Sequence, residues 1–270
     1  MNIINLKYGV ETIPYGKRDI IIYFLLLNQM KKGIKFSENK SFYFLTEIAL
    51  IVTGILVALS IDNWNNERLT KNEINNYFIE INKDLKNELI GKKNYLKNYK
   101  ELNEDLKKSL LIIKDKNYDS ISVLLNSIGG LGTAWGIDIN LPTVEEFIDL
   151  DLVNKIDDDS IRFYFKRYVR LINRAKTLDE YNTIQYNTSI EPFIIKNLNY
   201  SEVSLESYKR NLIQGGPKTD IKDLYNNLEF FNILTFKVET FNIEIGFLNF
   251  YINALSKLSE RIDKRVNELN

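Results

Sequence analysis

The chain has 270 residues, with 36 basic and 36 acidic side chains, 44% hydrophobic residues, and neither histidine nor cysteine. The absence of imidazole and thiol groups excludes Ser-His-Asp triads, cysteine nucleophiles, the common zinc sites and thiolate-bound clusters. The neutral balance provides no overall field for holding nucleic acid, so we predict no nucleic-acid partner. Only four prolines and twelve glycines interrupt the chain, which favours long helices and predicts an all-α fold.

An apolar segment, residues 42–61, contains a single charged side chain, that of Glu47. As a helix it would extend roughly 30 Å, about the thickness of the hydrocarbon layer of a bilayer. Tyr43 and Trp64 stand near its two ends, where amphipathic rings settle at a membrane interface. We therefore predict a transmembrane helix over residues 41–65, with these two residues as interface anchors and the lipid bilayer as a partner. The alternative is a helix buried in a soluble core.

Basic residues are concentrated before this helix, which bears on its orientation. Arg68 and Lys71 are the only basic residues in the first twenty or so positions after it, whereas the preceding segment has many more. Those residues are Lys7, Lys17, Arg18, Lys31, Lys32, Lys35 and Lys40. The excess predicts a cytoplasmic N-terminus and, in a bacterial inner membrane, a periplasmic domain formed by residues 66–270.

Residues 1–40 form a separate basic segment. Its apolar stretch, Ile20 to Leu27, is too short to cross a bilayer as a helix and is predicted to lie at the interface as a short amphipathic element. Translation starting at Met30 is an alternative, since that chain would begin with a basic stretch and run directly into the apolar segment.

One face of the predicted transmembrane helix carries small and polar residues. Gly54 and Ala58 form a small-xxx-small pair, which allows two helix backbones to approach closely in lipid. Glu47 lies on the same face, and ionisable groups inside a span usually face protein or water. We predict helix association through these three residues. For Glu47 the alternatives are a side chain that reaches the headgroup layer and a proton or cation site.

Residues 47–68 read EIALIVTGILVALSIDNWNNER. This pattern resembles the signature of an uncharacterised family of membrane-anchored proteins in Bacteroidota, whose span ends in Asn-Trp-Asn and continues into a helical region. The chain departs from that pattern at Thr46, where glycine is usual, and at Ser60 and Asp62. A looser resemblance covers residues 141–170. The resemblance implies a single-pass, helical membrane protein and brings no biochemical activity with it.

After Trp64 the chain has no proline before Pro142, so the membrane helix is predicted to continue without a break. Apolar residues recur at intervals of mostly three and four up to Ile113, which marks one face of a helix. They are Ile74, Phe78, Ile81, Leu85, Leu89, Leu96, Tyr99, Leu102, Leu106, Leu110 and Ile113. Packing against later helices of the same chain is favoured over a parallel coiled coil, because the pattern is not a strict heptad.

Residues 117–142 are predicted to form a break. Asp119 and Ser120 can cap a short helix from Ile121 to Ile128, and the Gly129–Gly132 stretch ends it. A phosphate-binding loop is rejected because no strand precedes these glycines and the P-loop lysine is missing. Trp135 is predicted to pack on the bundle.

The second half is predicted to hold four further helices. A short one covers Thr143 to Phe147, and Asp157–Asp159 begin a long one that runs to about Asn197 with a kink or end near Ile190, before Pro192. The three aspartates are read as a helix cap rather than a cation site. After the loop at Gly215–Pro217, helices are predicted over 220–234 and 236–268.

In the long helix that follows the aspartates, aromatic and aliphatic residues are predicted to face the core and basic residues to face outward. The predicted core residues are Phe163, Phe165, Tyr168, Leu171 and Ile172. The basic face is read as solvated, with an anionic partner as the alternative.

These features predict a structural or interaction protein that oligomerises through its span, as a homo-oligomer or with another membrane protein, in a cell-envelope complex. No catalysis, cofactor, metal or small-molecule substrate is predicted. Two alternatives stay open: an ion-coupled membrane component that uses Glu47, and a periplasmic sensor whose pocket residues one sequence cannot name.

Overall fold

The computed structural model describes residues 40–133 and 136–268, with side chains from Phe44 onward. These residues form helices and no strand, which confirms the predicted all-α fold. The chain divides into two compact units, the second of which comprises Arg68–Asn270. The α-helices are α1 (Lys40–Lys114), α2 (Ile121–Ser127), α3 (Pro142–Asp149), α4 (Asp159–Gln185), α5 (Glu191–Asn197), α6 (Tyr200–Val203), α7 (Glu206–Lys209), α8 (Ile221–Leu224) and α9 (Leu228–Asn267).

Helix α1 is unbroken, as the absence of proline predicted. Its one glycine in the second unit, Gly91, is exposed and has open space around it, so no other segment packs against it. The apolar face of this part is covered by the chain itself, with Ile81, Leu85 and Leu106 fully buried. The helix therefore packs within its own chain, as predicted.

The core of the second unit lies between α1, α4 and α9, and α4 packs closely along α9. Aromatic rings fill one end of this core. The Phe147 ring of α3 lies 5.1 Å from that of Phe165 and 5.9 Å from that of Phe78, measured between centroids. Such tilted pairs are favourable ring geometries. The short helix α3 therefore packs against both α1 and α4.

The start of α4 agrees with the capping interpretation of the three aspartates. Asp158 is the N-cap residue, and its Oδ1 accepts hydrogen bonds from the backbone N–H groups of Ser160, at 2.7 Å, and Ile161, at 3.1 Å. These two donors have no partner inside the helix, so the carboxylate satisfies them. Within the described residues, no cluster of acidic side chains is arranged to hold a metal ion.

The predicted interruption near Ile190 is a π-helical turn, Tyr186–Ile190, that links α4 to α5. Pro192 occupies the first turn of α5, where a missing N–H is tolerated. The hydroxyl group of Thr188 donates a hydrogen bond to the carbonyl oxygen of Ile184 at 2.7 Å. The π-helical turn is thus followed by a new α-helix that has the proline in its first turn.

Three details of the prediction were wrong. Phe163 is exposed, because it lies two residues, and therefore about 200° around the helix, from the buried Phe165. Residues 220–234 do not form one helix: α8 is short, and Asn227 caps α9 by accepting from the N–H of Phe230 at 2.9 Å. Ser120 stands at the N-cap position of α2, but its side chain makes no capping hydrogen bond.

Helix α2 ends at Ser127, and the glycine-rich stretch that follows forms a 3-10 turn, Ile128–Gly132, which packs closely against the segment around Val203. Gly129 is buried, and a Cβ atom there would lie 3.1 Å from the carbonyl oxygen of Val203 and from the backbone nitrogen of Leu205. Gly215 and Gly216 adopt φ angles of 110° and 90°, which only glycine adopts readily, and form the predicted loop. The predictions for residues 1–39 and for Trp135 lie outside the described residues.

Candidate functional site

The apolar part of α1 presents its side chains to the outside. Its most apolar 18-residue window has a mean hydropathy of 2.3, and none of that window is buried. Large side chains such as Ile51, Ile55 and Leu56 are more than half exposed. A helix of a soluble core would have these residues inside, so this alternative is wrong for the described structure. Among the described residues, this is the one helix long and apolar enough to cross a membrane.

Polar groups within this segment satisfy their hydrogen bonds locally. Thr53 donates from its hydroxyl to the carbonyl oxygen of Ala49 at 2.7 Å, and Ser60 donates to that of Leu56 at 2.7 Å. In hydrocarbon an unpaired hydroxyl donor is unfavourable, and bonding to the preceding turn removes this cost. The hydroxyl groups of Thr53 and Ser60 are therefore compatible with a lipid environment.

The structure places Glu47, Gly54 and Ala58 on one face of α1, as predicted, since they follow one another at seven and four residues along an unbroken helix. The side chain of Glu47 is exposed. Trp64 is also exposed, by 54%, at the end of the apolar segment. The side chain of Tyr43, the other predicted anchor, lies outside the described residues.

A second feature, inside the bundle, was missed by sequence reasoning. Lys237 of α9 is only 3% exposed, and its Nζ donates a hydrogen bond to the backbone carbonyl oxygen of Thr133 at 2.7 Å. The same ammonium group lies 4.9 Å from the centre of the Phe241 ring, a favourable position over an aromatic face. A buried cation is thus held by a carbonyl group and a ring.

Glu244, two turns further along α9, is 1% exposed. Its Oε1 accepts hydrogen bonds from the side-chain amide of Asn182 and, at 3.5 Å, from the hydroxyl of Tyr99. Its Oε2 is buried without a hydrogen-bond partner. Around it, Thr240 donates to Gln185 at 3.1 Å, so that polar contacts join α9 to α4 at two levels. We call Tyr99, Asn182, Lys237 and Glu244 the buried polar cluster.

Burial dominates the electrostatics of this cluster. It raises the pKa of the Glu244 carboxyl to about 8, and the charge of Lys237 only partly opposes this shift. It lowers the pKa of Lys237 to about 8, with Glu244 acting in the opposite direction. Burial also raises the pKa of the Tyr99 hydroxyl. Each shift favours the uncharged form, as expected for groups removed from water.

The signal that could have revealed this cluster was the register of α9. Its buried face follows the series 230, 234, 237, 241, 244, 248, 251, 255 and 258, at intervals of three and four. Lys237 and Glu244 are the two charged members of that series. Both residues continue the buried face at the same three-to-four spacing as its apolar members.

A neighbouring network holds the chain that follows the glycine-rich turn. Lys92 donates to the carbonyl oxygen of Asp138 and lies 3.5 Å from the carboxylate of Glu88. Tyr251 donates to the same Glu88 carboxylate at 3.1 Å. The backbone N–H of Ile137 donates to Asp179 at 2.6 Å, and burial raises the pKa of that carboxyl. Residues 136–138 are thus fastened to α1 and α4.

Comparison with known proteins adds one match. A family of unknown function (DUF6090) matches residues 47–133. This range begins at Glu47 and includes Gly54, Ala58 and Trp64, so it contains the stretch on which the resemblance rested and stops before residues 141–170. No curated protein and no solved structure matches the chain. The match agrees with an uncharacterised domain and brings no activity.

Proposed function

We propose that this chain is a single-pass membrane protein whose helical bundle serves as an interaction domain in a cell-envelope complex, without catalysis. The observation that carries the proposal is the exposure of the apolar N-terminal part of α1, in a helix whose remaining part is built into a bundle with a buried core. Exposed apolar surface of this extent calls for lipid or a partner.

The proposed orientation has the N-terminus in the cytoplasm and residues 66–270 in the periplasm of a bacterium, with Bacteroidota as the source that the resemblance suggests. Support comes from the basic residues that precede the apolar segment. The chain contains no cysteine, so single cysteines can report its topology without background labelling.

The topology test places cysteines on the two sides of the span. Ile213 is 96% exposed, and Ile213→Cys should react with a membrane-impermeant maleimide in intact spheroplasts. Lys35→Cys, which precedes the span with either start of translation, should react only after the membrane is permeabilised. The reverse pattern would contradict the orientation, and labelling of both positions in intact spheroplasts would contradict the span itself.

Association through the face that carries Glu47, Gly54 and Ala58 is the second part of the proposal. Small residues four apart let two helices approach closely, and a carboxyl group can hydrogen-bond across such an interface. Homo-oligomers or a different membrane-protein partner would use the same face.

The association test is the mass of the detergent-solubilised protein by light scattering. Gly54→Leu and Ala58→Leu should have a lower mass than the wild-type oligomer. Glu47→Gln should also have a lower mass if the carboxylate contributes to association. Ala49→Leu is the matched control, because Ala49 lies nine residues from Ala58 and therefore on the opposite face of the helix. Equal loss in the control, or a monomeric wild type, would contradict self-association through this face.

A further inference from the structure

A groove on the surface of the second unit is lined by side chains of α4 and α9. Its volume is about 760 Å³, and it is open to solvent along one side. The residues that concern us are Phe163, Arg167, Arg170 and Arg174 of α4 and Phe250 of α9. We call this set the arginine groove. None of its members belongs to the apolar part of α1.

The arginine groove is positively charged. Its charged lining residues are three arginines, and no carboxylate is among them. Arg170 and Arg174 are exposed, and in the described part of the chain neither forms an ion pair. Helix α4 has no acidic residue between Asp159 and Asp179, although the whole chain is neutral. Positive charge is therefore concentrated here and left without compensation.

Two phenylalanine rings add apolar surface to the groove. Phe163 is 51% exposed and Phe250 is 49% exposed. The guanidinium carbon of Arg167 lies 4.0 Å from the centre of the Phe250 ring, so the arginine is stacked on the ring and its planar group is held in place. Exposed phenylalanine next to pre-positioned arginine is a composition typical of the centres of protein interfaces.

The spacing of the arginines selects the shape of the occupant. Arg167, Arg170 and Arg174 follow one another at three and four residues, so their positions repeat about every 5 Å along the helix. Carboxylates at the same intervals on a second helix would have matching positions, and guanidinium groups bind carboxylates with two parallel hydrogen bonds. A small anion would instead require an enclosed pocket, which this open groove is not.

We propose that the arginine groove binds an acidic amphipathic helix of a partner protein, with carboxylates on the three arginines and apolar side chains on the two phenylalanine rings. This surface is separate from the transmembrane association proposed above. It supplies a partner of stated chemistry for the interaction domain.

The test measures fluorescence anisotropy of a labelled helical peptide added to the full-length protein in neutral-detergent micelles. The peptide has about 14 residues, the length of helix that covers the groove from Phe163 to Thr177, with Glu and Leu on one face. Arg170→Glu/Arg174→Glu should weaken binding by about tenfold or more, since attraction becomes repulsion at two positions. Phe163→Ala should weaken it as well.

The matched control is Arg210→Glu/Lys222→Glu, which changes the charge of the protein equally at two exposed positions outside the groove. Its binding should equal that of the wild type, and a peptide with Gln in place of Glu should not bind. The proposal would be overturned by equal loss in both double variants or by no binding of the acidic peptide. Displacement of the peptide by phosphatidylglycerol added to the micelles would assign the groove to an anionic lipid surface instead.

The result can be separated from the proposed membrane association. Light scattering on Arg170→Glu/Arg174→Glu should give the wild-type mass, because these residues lie outside the first unit. Circular dichroism should show unchanged helicity, since both side chains are exposed. Loss of helicity would remove this variant as a probe, in which case Phe163→Ala decides, with unchanged peptide affinity overturning the proposal.

Discussion

Lys237 donates from its ammonium group to the backbone carbonyl oxygen of Thr133 at 2.7 Å, and both residues are buried. This contact ties the middle of α9 to the segment that follows the glycine-rich turn. Two turns along the same helix, Glu244 places a carboxyl group against Asn182. The bundle thus contains one basic and one acidic group on a buried helix face, and both shift toward their uncharged forms.

Glu244→Gln should change how stability depends on pH. The pKa of Glu244 is raised from 4.5 to about 8 in the folded protein, so between these values the unfolded chain releases a proton that the folded protein keeps. Stability supplied by this group is present below the lower value and is lost as pH rises toward about 8. In the variant this decline should disappear, as measured by chemical unfolding of the detergent-solubilised protein over that range.

The control for this experiment is Glu239→Gln, an exposed glutamate on the same helix. It should leave the pH dependence of the wild type unchanged. A Glu244→Gln variant with the same slope as the wild type would show that the carboxyl group is ionised in the folded protein at neutral pH.

Lys237→Met should change the pH dependence of stability above about pH 8. The pKa of Lys237 is lowered from 10.5 to about 8, so above about 8 the unfolded chain holds a proton that the folded protein has lost. The unfolding free energy contributed by this group therefore rises with pH toward the higher value. Methionine preserves much of the volume and removes this rise. Lys257→Met, an exposed position on α9, should keep it.

Phe165→Ala and Phe163→Ala should differ widely in their effect on stability. Phe165 is fully buried against Phe147, and its loss leaves a cavity that costs about 3–5 kcal/mol. Phe163 is half exposed, so its removal should change the unfolding free energy by less than about 1 kcal/mol. Thermal unfolding of both variants measures the difference. Equal destabilisation would contradict the assignment of the two faces of α4.

Asp158→Ala should destabilise the protein by about 1 kcal/mol, because two backbone N–H groups at the start of α4 lose their acceptor. Asp157→Ala is the matched comparison. Asp157 is exposed and makes an ion pair with Lys71 at 3.4 Å, which contributes little in water. In urea titrations, the unfolding midpoint of Asp158→Ala should therefore be clearly lower than that of Asp157→Ala.

Local sequence was sufficient for the long helices α1 and α4 and for the apolar segment. Each of the signals used belongs to a short stretch of chain. They are an apolar window with one charged residue, a three-to-four spacing of hydrophobic residues, and the positions of proline and glycine. These signals predicted α1, the cap at Asp158, the interruption before Pro192 and the loop at Gly215. The common helix face of Glu47, Gly54 and Ala58 could also be derived from the sequence, because it depends only on the period of one helix.

Local pattern could not decide which faces the neighbouring helices cover. Phe165 belongs to the buried series 161, 165, 168, 171 and 175 of α4, and Phe163 lies on the other face of the helix. The neighbouring helices set which of these two faces is covered.

The buried polar cluster and the arginine groove both depend on residues far apart in the chain. Asn182 meets Glu244, and Arg167 meets Phe250, only because α4 lies along α9. Composition and hydrophobic period predicted the long helices and the segment that could enter a membrane, since these properties act within one stretch of chain. Tertiary packing alone decided which charges are taken out of water and which are left exposed without a partner, since burial is set by the surfaces that two helices present to each other.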